Sequence, residues 1–320
     1  MKNAILITIL SLTILSQWGC SQKIAPFAPT AAPSQLAAPV ATPQASFAAQ
    51  WTYAGTSLLN TPVGIAVDGD QVVYVTDSFL GEVLKYDMNG DLMAQWGKGG
   101  SDNLDQPSGI AVHNGNVYVA DSANSRVVEY DPNGVEIAVV EPKDFSGDLF
   151  AYPTGVSFDS LGNLYVSDNS DVVYQFNSAL VLTAQWGNSG NTDGKFNYPV
   201  VTAEDNSGNV YVAANNSDAI FKYNTTTNLL NSWGTTGSGN GQFEGPSDVK
   251  LDAKGNVFVV DTGNGRIQAF TADGIYLNQF GNSATAGQSL SEPNAMAFDS
   301  NGNAYVADTG NSRIVKYTMK

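Results

Sequence analysis

Residues 104–140 read LDQPSGIAVHNGNVYVADSANSRVVEYDPNGVEIAVV. Four short apolar runs lie in this stretch: Ile110–Val112, Val117–Ala120, Val127–Tyr130 and Ile137–Val140. They are rich in β-branched and aromatic residues. Asn114-Gly115, Asp121–Ser125 and Asp131-Pro132-Asn133-Gly134 separate them, and such residues close tight turns. None of the runs keeps a helical period. The stretch is four short strands joined by turns.

The same pattern occurs once before and four times after. Six prolines mark it: Pro62, Pro107, Pro153, Pro199, Pro246 and Pro293, spaced by 45 to 47 residues. Each stands three positions after Leu59, Leu104, Phe150, Phe196, Phe243 or Leu290. Tyr74, Tyr118, Tyr165, Tyr211, Phe258 and Tyr305 fall in register in the second strand. Tyr86, Tyr130, Phe176, Tyr223, Phe270 and Tyr317 end the third. A period near 46 also fits a helical repeat, but the turns and the alternation exclude it. Four strands per repeat of this length describe a propeller blade, and six repeats predict an all-β, six-bladed propeller of antiparallel blades.

The sixth repeat stops after its third strand. The missing strand is expected at the front, because Ala48-Ala49-Gln50-Trp51 matches Met93-Ala94-Gln95-Trp96 and Thr183-Ala184-Gln185-Trp186. The ring is then closed by residues 47–52 pairing with the strand near Ile314–Tyr317, with Trp51 in the slot that Trp96 holds in blade 1. Closure removes the free sheet edge between the first and last blades.

Three segments carry a family resemblance: Pro-Ser-Gly-Ile-Ala-Val at 107–112, Trp-Gly-Thr-Thr-Gly-Ser-Gly-Asn-Gly-Gln-Phe at 233–243, and Tyr-Val-Ala-Asp-Thr-Gly-Asn-Ser-Arg-Ile at 305–314. They closely resemble NHL repeats, and the likeness extends over residues 46–320. It implies a propeller that serves as a binding platform, as most NHL propellers do for proteins, RNA or small ligands. Some six-bladed relatives are lyases or lactonases, so an enzyme is the alternative.

Residues 1–19 read as an export signal: Lys2, then an apolar run from Ala4 to Ile14, too short to span a membrane. The run leads to Gly19-Cys20, which resembles the lipobox of bacterial lipoproteins, although Gln17 and Trp18 depart from it. Cys20 is the expected lipidation site, and the lipid the expected membrane contact. Residues 20–45 hold five prolines among Ala, Ser, Thr and Gln and read as a tether. The domain order is therefore signal 1–19, tether 20–45 and propeller 46–320. The expected location is the bacterial envelope, the outer membrane in preference, with a secreted or periplasmic protein as the alternative.

The chain carries 30 acidic and 14 basic residues, a formal charge of −16. That balance argues against nucleic acid and for a neutral or basic partner, a protein or another envelope component. A monomer is expected. One His and one Cys leave no His-rich site, no disulfide framework and no cysteine zinc site. No cofactor or metal is expected. The innermost strands of lactonase-like relatives end in Glu, Asn and Asp; here only Asp248 and Asn294 could serve, too few for a hard-cation site.

Asp121–Arg126, Asp261–Arg266 and Asp308–Arg313 recur in the loop after the second strand. They read as turn carboxylates braced by arginines, the other reading being a charged ring at the channel mouth. Ala214 and Ala219 replace both partners in blade 4, as structural partners would. His113 reads as a hairpin residue, and Asp87–Asp91 as a turn in preference to a calcium loop. Glu204 and Lys250 break apolar columns of the innermost strands of blades 4 and 5, and an ion pair across that seam is expected. The loop face that collects the Asp-Arg turns is the expected binding face. On it, Phe79 and Leu80 depart from the repeat, and Tyr152 and Tyr198 precede the prolines of blades 3 and 4 as binding anchors or as loop braces; Asp248 and Asn294, at the innermost-strand ends, complete the six expected binding residues.

Overall fold

The structure is a computed structural model that describes residues 49–52, 59–98, 103–141, 150–187, 196–282 and 289–318, with the backbone path alone for 49–52. The expected signal, Cys20 and the tether lie outside the described residues.

Strand β1 (Ala49–Thr52) comes first. Blade 1 is β2 (Pro62–Val67), β3 (Val73–Asp77), β4 (Glu82–Tyr86) and β5 (Leu92–Trp96). Blade 2 is β6 (Pro107–His113), β7 (Asn116–Asp121), β8 (Arg126–Tyr130) and β9 (Glu136–Val140). Blade 3 is β10 (Pro153–Phe158), β11 (Leu164–Asp168), β12 (Val172–Phe176) and β13 (Leu182–Gly187). Blade 4 is β14 (Pro199–Glu204), β15 (Val210–Ala214), β16 (Ala219–Tyr223) and β17 (Leu229–Trp233). Blade 5 is β18 (Pro246–Leu251), β19 (Val257–Asp261), β20 (Arg266–Phe270) and β21 (Tyr276–Phe280). Blade 6 is β22 (Pro293–Phe298), β23 (Ala304–Asp308) and β24 (Arg313–Tyr317), completed by β1.

All six sheets are four-stranded and antiparallel; blades 1 to 5 are meanders of consecutive strands, and in blade 6 β1 takes the outer position beside β24. Ring closure follows the sequence expectation: Ala49 pairs with Tyr317 and Thr52 with Val315. The side chain of Trp51 lies outside the described residues.

Each repeat places a proline at the first residue of its innermost strand, where a missing N–H costs the ladder least. The register then breaks just after it, between Pro62 and Gly64, Pro107 and Ile110, Pro153 and Gly155, Pro199 and Val201, Pro246 and Asp248, and Pro293 and Ala295. Bulges of this kind re-aim side chains. Here Val63, Ser108, Thr154, Val200, Ser247 and Asn294 lie in the break, beside the axis of the ring.

The core lies in the six seams between blades. One cluster joins Val201, Ala203 and Tyr211 of blade 4 to Val249, Val257 and Val259 of blade 5. Another joins Phe258 and Val260 of blade 5 to Met296 and Val306 of blade 6. Thus the Ala203 column of one blade meets the Val249 column of the next, in one rotational sense around the ring.

That sense corrects the expected Glu204–Lys250 pair. Glu204 faces back to blade 3, where its Oε1 accepts from Ser157 Oγ at 3.0 Å, and from Thr202 Oγ1 of its own strand at 2.9 Å. Lys250 lies on the forward face of blade 5, and its Nζ donates to Asp248 Oδ1 at 2.8 Å. Two residues along a strand point to one face, so Asp248 is the nearer carboxylate for Lys250.

The innermost strands of blades 2, 3 and 4 touch through backbone. A Cβ on Gly109 would stand 2.6 Å from Gly155 Cα, and one on Gly155 would stand 2.2 Å from Val200 O. Only glycine permits that approach. Blade 5 has Asp248 in the same column, and its Oδ2 accepts from Met296 N of blade 6 at 2.7 Å. A carboxylate thus fills the space that backbone fills elsewhere.

Candidate functional site at the channel mouth

The loops entering each innermost strand, and those between second and third strands, share one face. They surround a cavity of about 420 Å³ at the mouth of the central channel. Its rim holds Gln106, Tyr152 and Tyr198 from the entry loops, and Ser78, Asn215 and Asn216 from the others. Below lie the bulge residues Val63, Ser108, Thr154, Val200, Ser247 and Asn294. Deeper still are Ile65, Ile110, Val156, Val201, Asp248 and Lys250.

Many of these polar groups are structural. Thr154 Oγ1 donates to Pro199 O at 2.9 Å, and Ser247 Oγ to Asn294 O at 2.6 Å. Ser108 Oγ sits 2.7 Å from Ser122 Oγ and donates to Thr154 O at 2.9 Å. Apart from the Ser108–Ser122 contact within blade 2, these bonds cross the seams and tie the blades together. Others stay available. The Tyr198 hydroxyl, the Asn294 amide and the Ser78 hydroxyl have no side-chain partner among the described residues. Tyr152 donates to Gln106 Oε1 at 2.8 Å, which leaves the Gln106 N–H groups unspent. Lys250 Nζ spends one of its three donors, on Asp248.

Burial pushes the Tyr198 hydroxyl up from the usual phenol value. Burial, then the neighbouring Tyr198 and Asp105, does the same for Tyr152, so both remain neutral hydroxyls at physiological pH. Desolvation also raises the Asp248 carboxyl, while Lys250 and the Met296 N–H pull it back.

Blade 4 is held differently from its neighbours, and the difference shapes the rim. In other blades the aspartate ending the second strand accepts from the entry loop: Asp121 from Asp105 N at 2.8 Å, Asp168 from Tyr152 N at 3.0 Å, Asp261 from Glu244 N at 2.8 Å. Blade 4 has Ala214 there. Its entry loop is held instead by Ser217 Oγ, which accepts from Asn197 N at 3.0 Å. Asp171 of blade 3 accepts from Tyr198 N at 2.7 Å, a cross-blade bond that blade 5 shares, where Asp218 accepts from Gly245 N at 2.8 Å. Asn215 and Asn216 open a short 3₁₀ turn beside the cavity. Tyr198 itself takes φ +55°, a left-handed conformation also adopted by Gln106 and, without strain, by Gly245 of blade 5.

Of the six expected binding residues, Tyr152, Tyr198, Asp248 and Asn294 line the cavity. Phe79 and Leu80 are on the same face outside it, next to Ser78; Phe79 is 73% exposed. Gln106, Asn215, Asn216 and Lys250 join the site without having been expected there. The paired loss of Asp and Arg at Ala214 and Ala219 was the signal for the two asparagines.

The Asp-Arg turns stand apart from the cavity. Arg126 Nε donates to Asp121 Oδ2 at 2.7 Å, Arg266 to Asp261 at 2.7 Å and Arg313 to Asp308 at 2.5 Å. Each aspartate also accepts from an entry-loop N–H, Asp308 from Ser291 N. These are braces within a blade. His113 stacks on Phe158 of blade 3 at 4.3 Å. Asp87 Oδ1 accepts from Asn89 N and Asp91 N, which turns that segment into a side-chain-closed turn.

Among the described residues no three His, Cys, Asp or Glu side chains come together as a metal site. A lactonase-type metal centre does not fit the cavity residues. Among the described residues Asp248 is the one carboxylate lining it, and both its oxygens are bonded.

The NHL repeat profile matches residues 104–130, 243–270 and 290–317, and the chain is a six-bladed propeller carrying NHL repeats. No curated protein matches the chain in sequence. Solved structures share its fold. A Bacteroides thetaiotaomicron protein of unknown function is 16% identical with a TM-score of 0.66, over 83% of this chain and 71% of that one. A Xanthomonas campestris gluconolactonase is 12% identical with a TM-score of 0.62, over 82% and 87%. A Staphylococcus aureus virginiamycin B lyase, crystallised with quinupristin, is 13% identical with a TM-score of 0.59, over 82% and 83%. At these identities the likeness is one of fold.

Proposed function

We propose that this propeller is an envelope-anchored binding protein, and that the cavity at the channel mouth is where its ligand sits. The observation that carries the reading is the set of unspent polar groups, from Tyr198, Asn294, Gln106, Ser78 and Lys250, around one pocket of about 420 Å³. Small-molecule sites have this form: concave, partly apolar, roughly 300–1,000 Å³, with a few polar groups that fix orientation. Phe79 lies beside the rim and extends the contact area for a larger partner. The charge of −16 favours a neutral or basic envelope component. Lipidation at Cys20 would hold the protein at the membrane, with residues 20–45 as the spacer.

The fold neighbours named as a lyase and a gluconolactonase raise a second reading, a channel enzyme. Among the described residues lining the cavity, the titratable groups are the Asp248–Lys250 pair, which is mutually neutralised, and the Tyr152 and Tyr198 phenols, which burial keeps protonated and so disfavours as bases.

The test is capture of envelope components by the folded protein and by Tyr198→Gly. Glycine takes a left-handed conformation without strain, as Gly245 does, so this variant deletes the ring without burdening the fold. Loss of a captured component with unchanged melting supports the site. Equal capture by both removes it.

A further inference from the structure

We propose that the cavity selects an uncharged, polyhydroxylated ligand, such as a neutral sugar ring at the end of a glycan. This rests on the reading of the channel mouth as the binding site. Three features carry it.

The first is charge. Among the described residues, the ionisable groups lining the cavity are Asp248 and Lys250, apart from the tyrosine phenols, and they neutralise each other at 2.8 Å. An anionic ligand would bring a second carboxylate next to Asp248 on the same ammonium. A cationic ligand would meet Lys250. Either leaves an uncompensated charge in a part-buried site. A neutral oxygen can instead accept one of the spare Lys250 N–H groups without disturbing the pair.

The second is the type of the unspent groups. Tyr198 and Ser78 present hydroxyls and Asn294 presents a carboxamide; each donates and accepts at once. Ligand hydroxyls do the same, so neighbouring hydroxyls on a ring satisfy such groups in either direction. A peptide strand would need a free backbone edge to pair with; each innermost strand ends its sheet, but at the cavity backbone groups of its outer edge are bonded across the seams, Thr154 O to Ser108, Pro199 O to Thr154, Asn294 O to Ser247 and Met296 N to Asp248.

The third is shape. Val63, Val156, Val200 and Val201 form apolar wall below a rim carrying Tyr152 and Tyr198. A sugar ring has apolar C–H faces and polar edges, and it fits a wall of this kind with its edges toward the amides.

The experiment is a titration of the full chain, by calorimetry or fluorescence, with a panel of neutral disaccharides: maltose, cellobiose and N,N′-diacetylchitobiose. A uronic-acid disaccharide, a chitosan dimer and an N-acetylated, C-amidated Gly-Ser tetrapeptide complete the set. The expected result is saturable binding of at least one neutral saccharide, weakened about tenfold or more in its anionic or cationic analogue, a difference of about 1.4 kcal/mol. Tyr198→Gly should lose that binding at unchanged Tm, and Lys250→Met should weaken it. Preference for the charged analogues or the peptide overturns the proposal. If no saccharide binds while envelope capture still depends on Tyr198, the saccharide assignment is wrong and the site stands. If capture is also independent of Tyr198, both fall.

Discussion

Glu204 stands where the other blades have Val67, Val112, Phe158, Leu251 and Phe298, and its cost depends on pH. Burial pushes its carboxyl up to about 7 from 4.5; hydrogen bonds from Thr202 and Ser157 and the charge of Lys250 pull down, and Asp159 pushes up. The folded state therefore holds a proton between pH 4.5 and 7 that the unfolded chain releases. By linkage, this group's stabilising contribution is complete below pH 4.5 and is lost as pH rises through 7. The interval from 4.5 to about 7 corresponds to about 3 kcal/mol, an upper bound for a group that keeps some solvent contact. Glu204→Gln keeps the size and an acceptor oxygen for Ser157 and Thr202 but carries no charge. It should raise stability by about 1–3 kcal/mol at pH 8 and change it by less than about 0.5 kcal/mol at pH 4.5. Urea unfolding of both proteins at pH 4.5, 6.5 and 8 reads the difference. A variant equally or more destabilised at pH 8 than at pH 4.5 would refute the reasoning.

Other outcomes follow from the same contacts. Lys250→Ala leaves Asp248 buried without its cation and should cost about 3–5 kcal/mol, whereas adding Asp248→Gly, which rebuilds the Gly109 and Ala111 pattern of blade 2, should recover part of it in a urea double-mutant cycle. Coupling of Lys250 to Glu204 in a second cycle should be clearly smaller. Arg266, bonded to Asp261, Gln279 and the carbonyls of Gly239 and Gln242, should cost more on replacement by Ala than the more exposed Arg126, by about 1–2 kcal/mol in thermal or urea melts. Cys20→Ser should abolish metabolic labelling with palmitate and move the protein from membrane to soluble fractions.

The architecture was readable because it is written six times. Prolines, entry-loop hydrophobics and aromatic columns recur at one spacing, and each repeat builds the same meander with the same bulge. Even closure by β1 was visible, since its residues match the outer strands of other blades. The candidate site was legible mainly where a residue departs from its column. Tyr152, Tyr198 and Asp248 could be found that way, whereas Asn294, in a column that already holds Ser108, Thr154 and Ser247, stood out as an oxygen donor at an innermost-strand end. Gln106 could not, because a polar residue before proline is ordinary in this loop. The Glu204–Lys250 pair failed for a specific reason. Two charges in opposite columns meet only if the blades stack in the matching sense, and the repeat pattern does not encode which face of a blade meets the next. The packing of Ala203 against Val249 and its neighbours sets that sense, and it sends Glu204 back to blade 3 and Lys250 toward blade 6.

Site-directed photo-crosslinking in envelope extracts tests the central claim most directly. A photoreactive residue at Ser78 sits on the cavity rim, and one at Leu161 sits on a hairpin turn of the opposite face, 80% exposed. The channel-mouth account predicts a discrete adduct from position 78, suppressed in a Tyr198→Gly background, and none from position 161. Adducts from position 161 alone, or adducts from position 78 that persist without the Tyr198 ring, would contradict it.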